Sequence, residues 1–159
     1  MTTVNTGDTP SGEELTAAYA RFVRKLADEA NATTTIGDDD ELLIDLDANK
    51  AYEVEHWLLI NSPAATDYKI QHSVPSGVTG WWNARVRNLA AAADTVWQGT
   101  LGWGSQGQFE GSAADLMFQL KGILITSGTA GQMKLQWASN AAGTTTVKAT
   151  SFIKLTEMT

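Results

Sequence analysis

The sequence contains no cysteine, which removes disulfides, thiolate catalysis and zinc–thiolate sites from consideration. Such a chain suits synthesis in a reducing cytoplasm. Cationic residues are also scarce, 11 Lys and Arg against 18 Asp and Glu, giving a formal charge of −7. Phosphate backbones are held by clustered Lys and Arg, and the nearest approach to a cluster is Arg21, Arg24 and Lys25. Direct DNA or RNA binding is therefore not expected, and an acidic, solvated surface is. No uninterrupted apolar run approaches the ~20 residues that cross a bilayer, so no membrane segment is expected. Met1–Asp8 is polar and lacks the basic-then-apolar order of a secretory signal.

What is present is a series of short alternating runs. With 159 residues one compact domain is the natural expectation, large enough to bury roughly 70% of its unfolded surface. Leu42–Leu46 alternates, and 47–50 (Asp-Ala-Asn-Lys) reads as a turn. Over Ala51–Ile60, Tyr52, Val54 and Leu58 share one face and Glu53, Glu55 and Trp57 the other. Tyr68, Ile70 and His72 share a face of the next strand, and Trp81–Val86 is a further one. Leu116–Ile125, Met133–Trp137 and Val147–Leu155 complete the series, punctuated by Gly128, Gly131 and Gly143. This spacing predicts an antiparallel, jelly-roll-like β-sandwich of about seven or eight strands.

The beginning reads differently. Residues 1–11 form a polar arm without a core of its own, expected to be held by a neighbour, and residues 12–159 form the domain. Ser11-Gly12-Glu13-Glu14 has capping-box form, and Leu15, Ala18, Tyr19, Phe22, Val23 and Leu26 follow helical spacing. A helix over about 12–28 is expected; the competing reading ends it near Ala20 and begins a strand at Arg21. Residues 88–113 are rich in small residues and read as a long excursion, of the kind that often carries function.

Candidate chemistry is thin. The run Asp38–Glu41 lacks the alternating ligand spacing of a calcium loop and reads as a solvated acidic loop. His56 and His72 could pair on a metal or act as acid and base, but no metalloprotease or nucleophile-elbow motif accompanies them. They read as strand histidines with satisfied hydrogen bonds. Glu53 and Glu55 lie about 7 Å apart on one strand face, the pattern of a solvent face more than of a glycosidase pair. The glycines near Trp103 lack the Gly-Lys-Ser/Thr of a phosphate loop. No metal, cofactor or catalytic residue is assigned, and an enzyme is not expected.

Tryptophan is the anomaly, at 57, 81, 82, 97, 103 and 137. Trp137, with Met133 and Leu135, belongs to the core. Adjacent Trp81 and Trp82 must face opposite sides of a strand, so one is exposed. Exposed aromatics bury large areas at little rotamer cost and mark interfaces; they also stack on sugar rings. Trp81, Trp82, Trp97, Trp103 and Phe109, with Thr2 and Val4 of the arm, are the candidate interface residues.

Residues 33–42 (Thr-Thr-Thr-Ile-Gly-Asp-Asp-Asp-Glu-Leu) and 51–55 (Ala-Tyr-Glu-Val-Glu), with Gly128–Gly131, Leu135–Ala138 and Thr144–Val147, carry a resemblance. Together they resemble small structural proteins encoded in the morphogenesis regions of tailed bacteriophages. The likeness spans roughly residues 20–155, and the helix-like start departs from it. It implies a β-sandwich of the virion, assigned to head decoration or to tail fibres, without catalytic residues. The expected partners are the major capsid protein and copies of the chain itself, a trimer or other closed ring fitting small β-domains. The expected location is the virion, after synthesis in the host bacterial cytoplasm. A stand-alone chain favours decoration of the head. The alternative is a tail-tip module that binds a receptor or host glycan.

Overall fold

A computed structural model describes residues 20–87 and 100–158. Among these, all regular structure is strand: β1 Arg21–Arg24, β2 Glu29–Asn31, β3 Gly37–Leu46, β4 Ala51–Ser62, β5 Tyr68–Ser73 and β6 Thr79–Arg87. There follow β7 Leu101–Gly102, β8 Gly107–Phe109, β9 Ser112–Ile125, β10 Gly131–Ser139, β11 Thr145–Val147 and β12 Phe152–Met158. The larger sheet runs β1-β12-β4-β9-β6-β7, with β11 pairing both β2 and β4. The smaller runs β3-β10-β5-β8, and every pairing in both is antiparallel.

The core is made by alternation. In β4 Tyr52, Val54, His56, Leu58 and Ile60 are buried while the residues between them are half-exposed. Leu116, Phe118, Leu120 and Leu124 of β9 and Trp82, Ala84 and Val86 of β6 extend that inner face. The smaller sheet contributes Leu42, Ile44, Leu46, Tyr68, Ile70, Met133, Leu135 and Trp137 to the same apolar cluster. Two inner faces closing on one cluster make a β-sandwich. The expected turn at 47–50 is present, with Asn49 at φ 57, a left-handed conformation that Asn tolerates well.

Three expectations change. The helix over 12–28 falls partly outside the described residues, but at Arg21–Arg24 the chain is strand, as the competing reading had it. Those residues pair with Phe152–Leu155, turning Val23 toward the core and Phe22 to solvent, so sheet pairing overrides the helical spacing. The excursion ends earlier than expected: β7 and β8 lie within it, and β9 begins at Ser112. Val147–Leu155 is two strands, β11 and β12, because the chain turns at 148–151 with Thr150 at φ 76. A β-branched residue at positive φ is strained, and backbone bonds with Lys25 on both sides hold it (Thr150 N to Lys25 O 3.0 Å; Lys25 N to Ser151 O 2.8 Å).

Close approach of β6 to β9 depends on Gly122. A Cβ there would lie 2.6 Å from the Trp81 carbonyl oxygen, 2.8 Å from Trp82 Cβ and 2.9 Å from the Trp103 ring. The first two atoms belong to a paired strand and cannot swing away. Gly122→Ala is expected to cost about 1–3 kcal/mol of stability, the usual range for overpacking. Thermal denaturation checks this, and an unchanged melting temperature would contradict it.

Candidate functional site

The outer face of the larger sheet is fixed by register. Across its middle runs a charged row, Lys154 opposite Glu55 opposite Lys121. Glu55 pairs with both lysines, at 2.7 Å to Lys121 and 3.5 Å to Lys154. Its hydrogen bond with Lys121, the largest influence, holds its pKa below the ordinary carboxylate value. Apolar groups lie on either side of this row. On one side Trp81 is directly opposite Ile123, with Ile125 and Met158 in the adjoining row. On the other, Phe152 is opposite Trp57, their rings nearly parallel at 6.3 Å; Phe22 ends the charged row, opposite Lys154, with its ring 6.3 Å from that of Phe152. Phe22 is 62% exposed, Trp81 46% and Ile125 44%; Leu26, just beyond β1, reaches 68%. Several large apolar side chains share one sheet face with an ion-paired row and make that face amphipathic. Glu53 and Glu55 belong to this outward face, as the alternation indicated, and Glu55 is already committed to two cations.

The sequence-predicted interface residues separate sharply. Trp81 faces solvent, as one of the adjacent pair had to. Trp82 is fully buried and Phe109 is in the core, stacked 5.6 Å from Tyr68 and edge-on to Phe118 at 4.9 Å, so neither offers its ring to a partner. Trp103 is half-buried: its indole N–H donates to the Ile123 carbonyl at 2.8 Å, and its ring meets His72 at 5.1 Å. It fastens the β7 region to β9. Trp97, Thr2 and Val4 lie outside the described residues, as does the arm at 1–11. Phe22, Leu26, Trp57, Phe152 and Ile125 were missed. Their signal was a large apolar residue at some outward positions of β1, β4, β9 and β12, interleaved with Glu53, Glu55 and Lys154 and legible only once the strands are aligned.

The acidic run is not a solvated loop. Residues 38–41 open β3, where four residues of β3 (39–42) oppose one of β10 (Leu135). This bulge reverses the alternation and turns Asp39 inward. Asp39 Oδ1 accepts the amides of Glu41 (3.0 Å) and Leu42 (2.8 Å), while Oδ2 accepts the indole N–H of Trp137 (3.2 Å). The Lys25 ammonium, 1% exposed, donates to both carboxylate oxygens at 2.9 and 3.0 Å and to Glu29 at 2.5 Å, with Glu41 at 3.6 Å. Asp38 is turned outward and pairs with Lys134 and Gln136.

The two histidines meet in the core, His56 from the larger sheet and His72 from the smaller. His72 Nε2 lies 3.5 Å from His56 Nδ1, and the rings are edge-on at 4.9 Å. The expected full satisfaction does not hold: His56 Nε2 and His72 Nδ1 have no hydrogen-bond partner among the described residues. Trp82 and Trp103 close over His72. Burial pushes the pKa of His56 down to about 3, and burial together with His56 pushes that of His72 well below the ordinary value. The pair is neutral near pH 7. No group of three or more His, Cys, Asp or Glu with metal-binding geometry occurs among the described residues.

No protein-family profile matches the chain, and no curated protein does. Among solved structures, the tripod (BppUct-A-L) from the baseplate of bacteriophage Tuc2009 superimposes with a TM-score of 0.39 at 14% identity, over 98% of this chain and 73% of that one. A superposition at that level carries no argument about this chain.

The buried imidazoles generate a pH dependence. Unfolding frees both to their ordinary value of 6.5, so below it the unfolded chain binds protons the folded chain refuses. Stability is therefore full above that value and falls as pH drops toward about 3, by up to ~1.4 kcal/mol per pH unit for each imidazole. The window from pH 6.5 to 5 lies above the ordinary carboxylate values of 3.8 and 4.5, and the variant lacking both imidazoles isolates their share of the slope. Urea titrations across this window should show a decline that His56→Leu/His72→Phe flattens. An equal decline in that variant would contradict the assignment.

Proposed function

We propose that this chain, a jelly-roll-like β-sandwich, is a structural protein of a tailed-bacteriophage virion, and that it acts as a head decoration protein. The observation that carries the reading is the exposed apolar outer face of the larger sheet. The resemblance of residues 20–155 to phage morphogenesis proteins supports the virion context. The outer face docks on the major capsid protein and on neighbouring copies of the chain, which close into a ring such as a trimer. Its mechanism is non-covalent bridging. Burying Trp81, Ile125, Phe22 and Phe152 against two subunits adds area at about 25 cal/mol per Å² before association costs, so internal pressure is shared over more contact. The rigid two-sheet core transmits that load with little deformation. No catalytic step belongs to this reading.

The tail-tip alternative keeps one supporting feature, the near-parallel Trp57 and Phe152 rings, which offer a flat aromatic platform for a sugar.

Heads assembled without the protein should gain heat resistance when purified chain is added. Trp81→Ser/Phe22→Ser, which alters only exposed positions, should fold normally by circular dichroism and fail to restore resistance. Full restoration by that variant would contradict the docking face. Wild-type chain that leaves heads unaltered yet binds host glycan would favour the tail reading.

A further inference from the structure

We propose that Lys25 and Asp39 join in an intramolecular isopeptide bond that ties the β1 end of the larger sheet to β3 of the smaller, with Glu29 carrying the protons. The two side chains meet as nucleophile and electrophile with almost no access to water. Contacts of 2.9 and 3.0 Å from Nζ to the two oxygens of Asp39 hold Cγ within about 3.5 Å of the nitrogen, the near-attack range. Asp39 is held rigidly by the bulge, and Lys25 by its two backbone bonds to the strained turn at Thr150–Ser151.

The surroundings match what amide formation requires. Oδ1 lies between the N–H groups of Glu41 and Leu42, two donors placed to stabilise negative charge on that oxygen as the tetrahedral intermediate forms. Oδ2 faces the Trp137 indole N–H and is the oxygen that leaves. Glu29, 2.5 Å from Nζ, is the nearest group outside the reacting pair able to take a proton from nitrogen.

Burial pulls the Lys25 pKa down, but hydrogen bonds with Glu29 and Asp39 outweigh it and leave the pKa raised. The resting species is an ion pair, and reaction starts when one proton passes from Nζ by way of Glu29 to Oδ2, leaving a neutral amine beside a neutral carboxylic acid. Nζ then attacks Cγ, forming the C–N bond. Nζ gives up a second proton, which follows the same route to Oδ2; the C–O bond breaks, and one water leaves. An ammonium and a carboxylate become an amide and water, without oxidant, reductant or co-reactant. One buried cation among three carboxylates is a costly arrangement, and the amide discharges its two most buried members together.

Tryptic digestion of the denatured full chain tests this directly. Lys25 and Asp39 fall in one tryptic segment, residues 25–50, because Arg24 precedes it and Lys50 ends it. The expected product is that segment, one water lighter and uncut after Lys25. A peptide of residues 26–50 at its full sequence mass would overturn the proposal and leave an ion pair only. A peptide of residues 26–50 one water lighter would equally overturn it, since a succinimide at Asp39 leaves Lys25 cleavable. Glu29→Gln should restore the full-mass 26–50 peptide while retaining the strand spectrum in circular dichroism. A bond formed as completely in that variant would remove Glu29 from its role.

Discussion

The pairing of β4 with β9 is the constraint on which the rest depends. It is the longest ladder among the described residues, running without a break from Ala51 opposite Ile125 to Ile60 opposite Leu116, and it lies at the centre of the larger sheet. With a side-chain period of two, its register decides which residues form the core and which form the outer face. A slip of one residue by β4 would send Glu53 and Glu55 inward and expose Tyr52, Val54 and Leu58. The burial cost of those charges enforces the register. The same alternation that builds the core therefore displays Trp57, Ile123 and Ile125 outward, and β12, β6 and β1 extend the pattern to Phe152, Trp81 and Phe22.

Besides buried hydroxyls such as Ser62, Ser139 and Thr145, two clusters of ionisable side chains are set into the interior among the described residues, and both join the sheets. At one, Lys25 reaches from the β1 end to Asp39 on β3; at the other, His56 of β4 touches His72 of β5. Their chemistry differs. The Lys25 cluster is charged and densely hydrogen-bonded, and the bulge in β3 exists to deliver Asp39 to it. The imidazoles are neutral, incompletely partnered and surrounded by indole rings. A core that keeps such groups gives up stability for a specific alignment of its two sheets.

Much of the fold was legible from the sequence, and the failures have physical causes. Alternation over 51–60, 68–72 and 133–137 identified strands and their buried faces, including the outward placement of Trp57 and the burial of Trp137. The turn at Asn49 followed from residue type. β1 was hidden because Leu15, Phe22, Val23 and Leu26 satisfy helical spacing, and its pairing with β12 joins residues far apart in the sequence, Arg24 with Phe152 and Arg21 with Leu155. β2, β7 and β11 are too short to show any period. Four consecutive acids give no hint of a bulge, so the inward turn of Asp39 could not be read. The outer face was only half legible. One of Trp81 and Trp82 had to be exposed, but nothing local said which, and Phe109 looked like a loop aromatic until β8 was seen pairing with β5.

The proposed attachment of this domain to the head of a virion, through the outer face of the larger sheet, is open to immunogold electron microscopy of particles from the source phage, with antibody raised against the purified domain. Attachment there predicts label distributed over the head. Label confined to the tail, or absence of the protein from denatured particles, would contradict it.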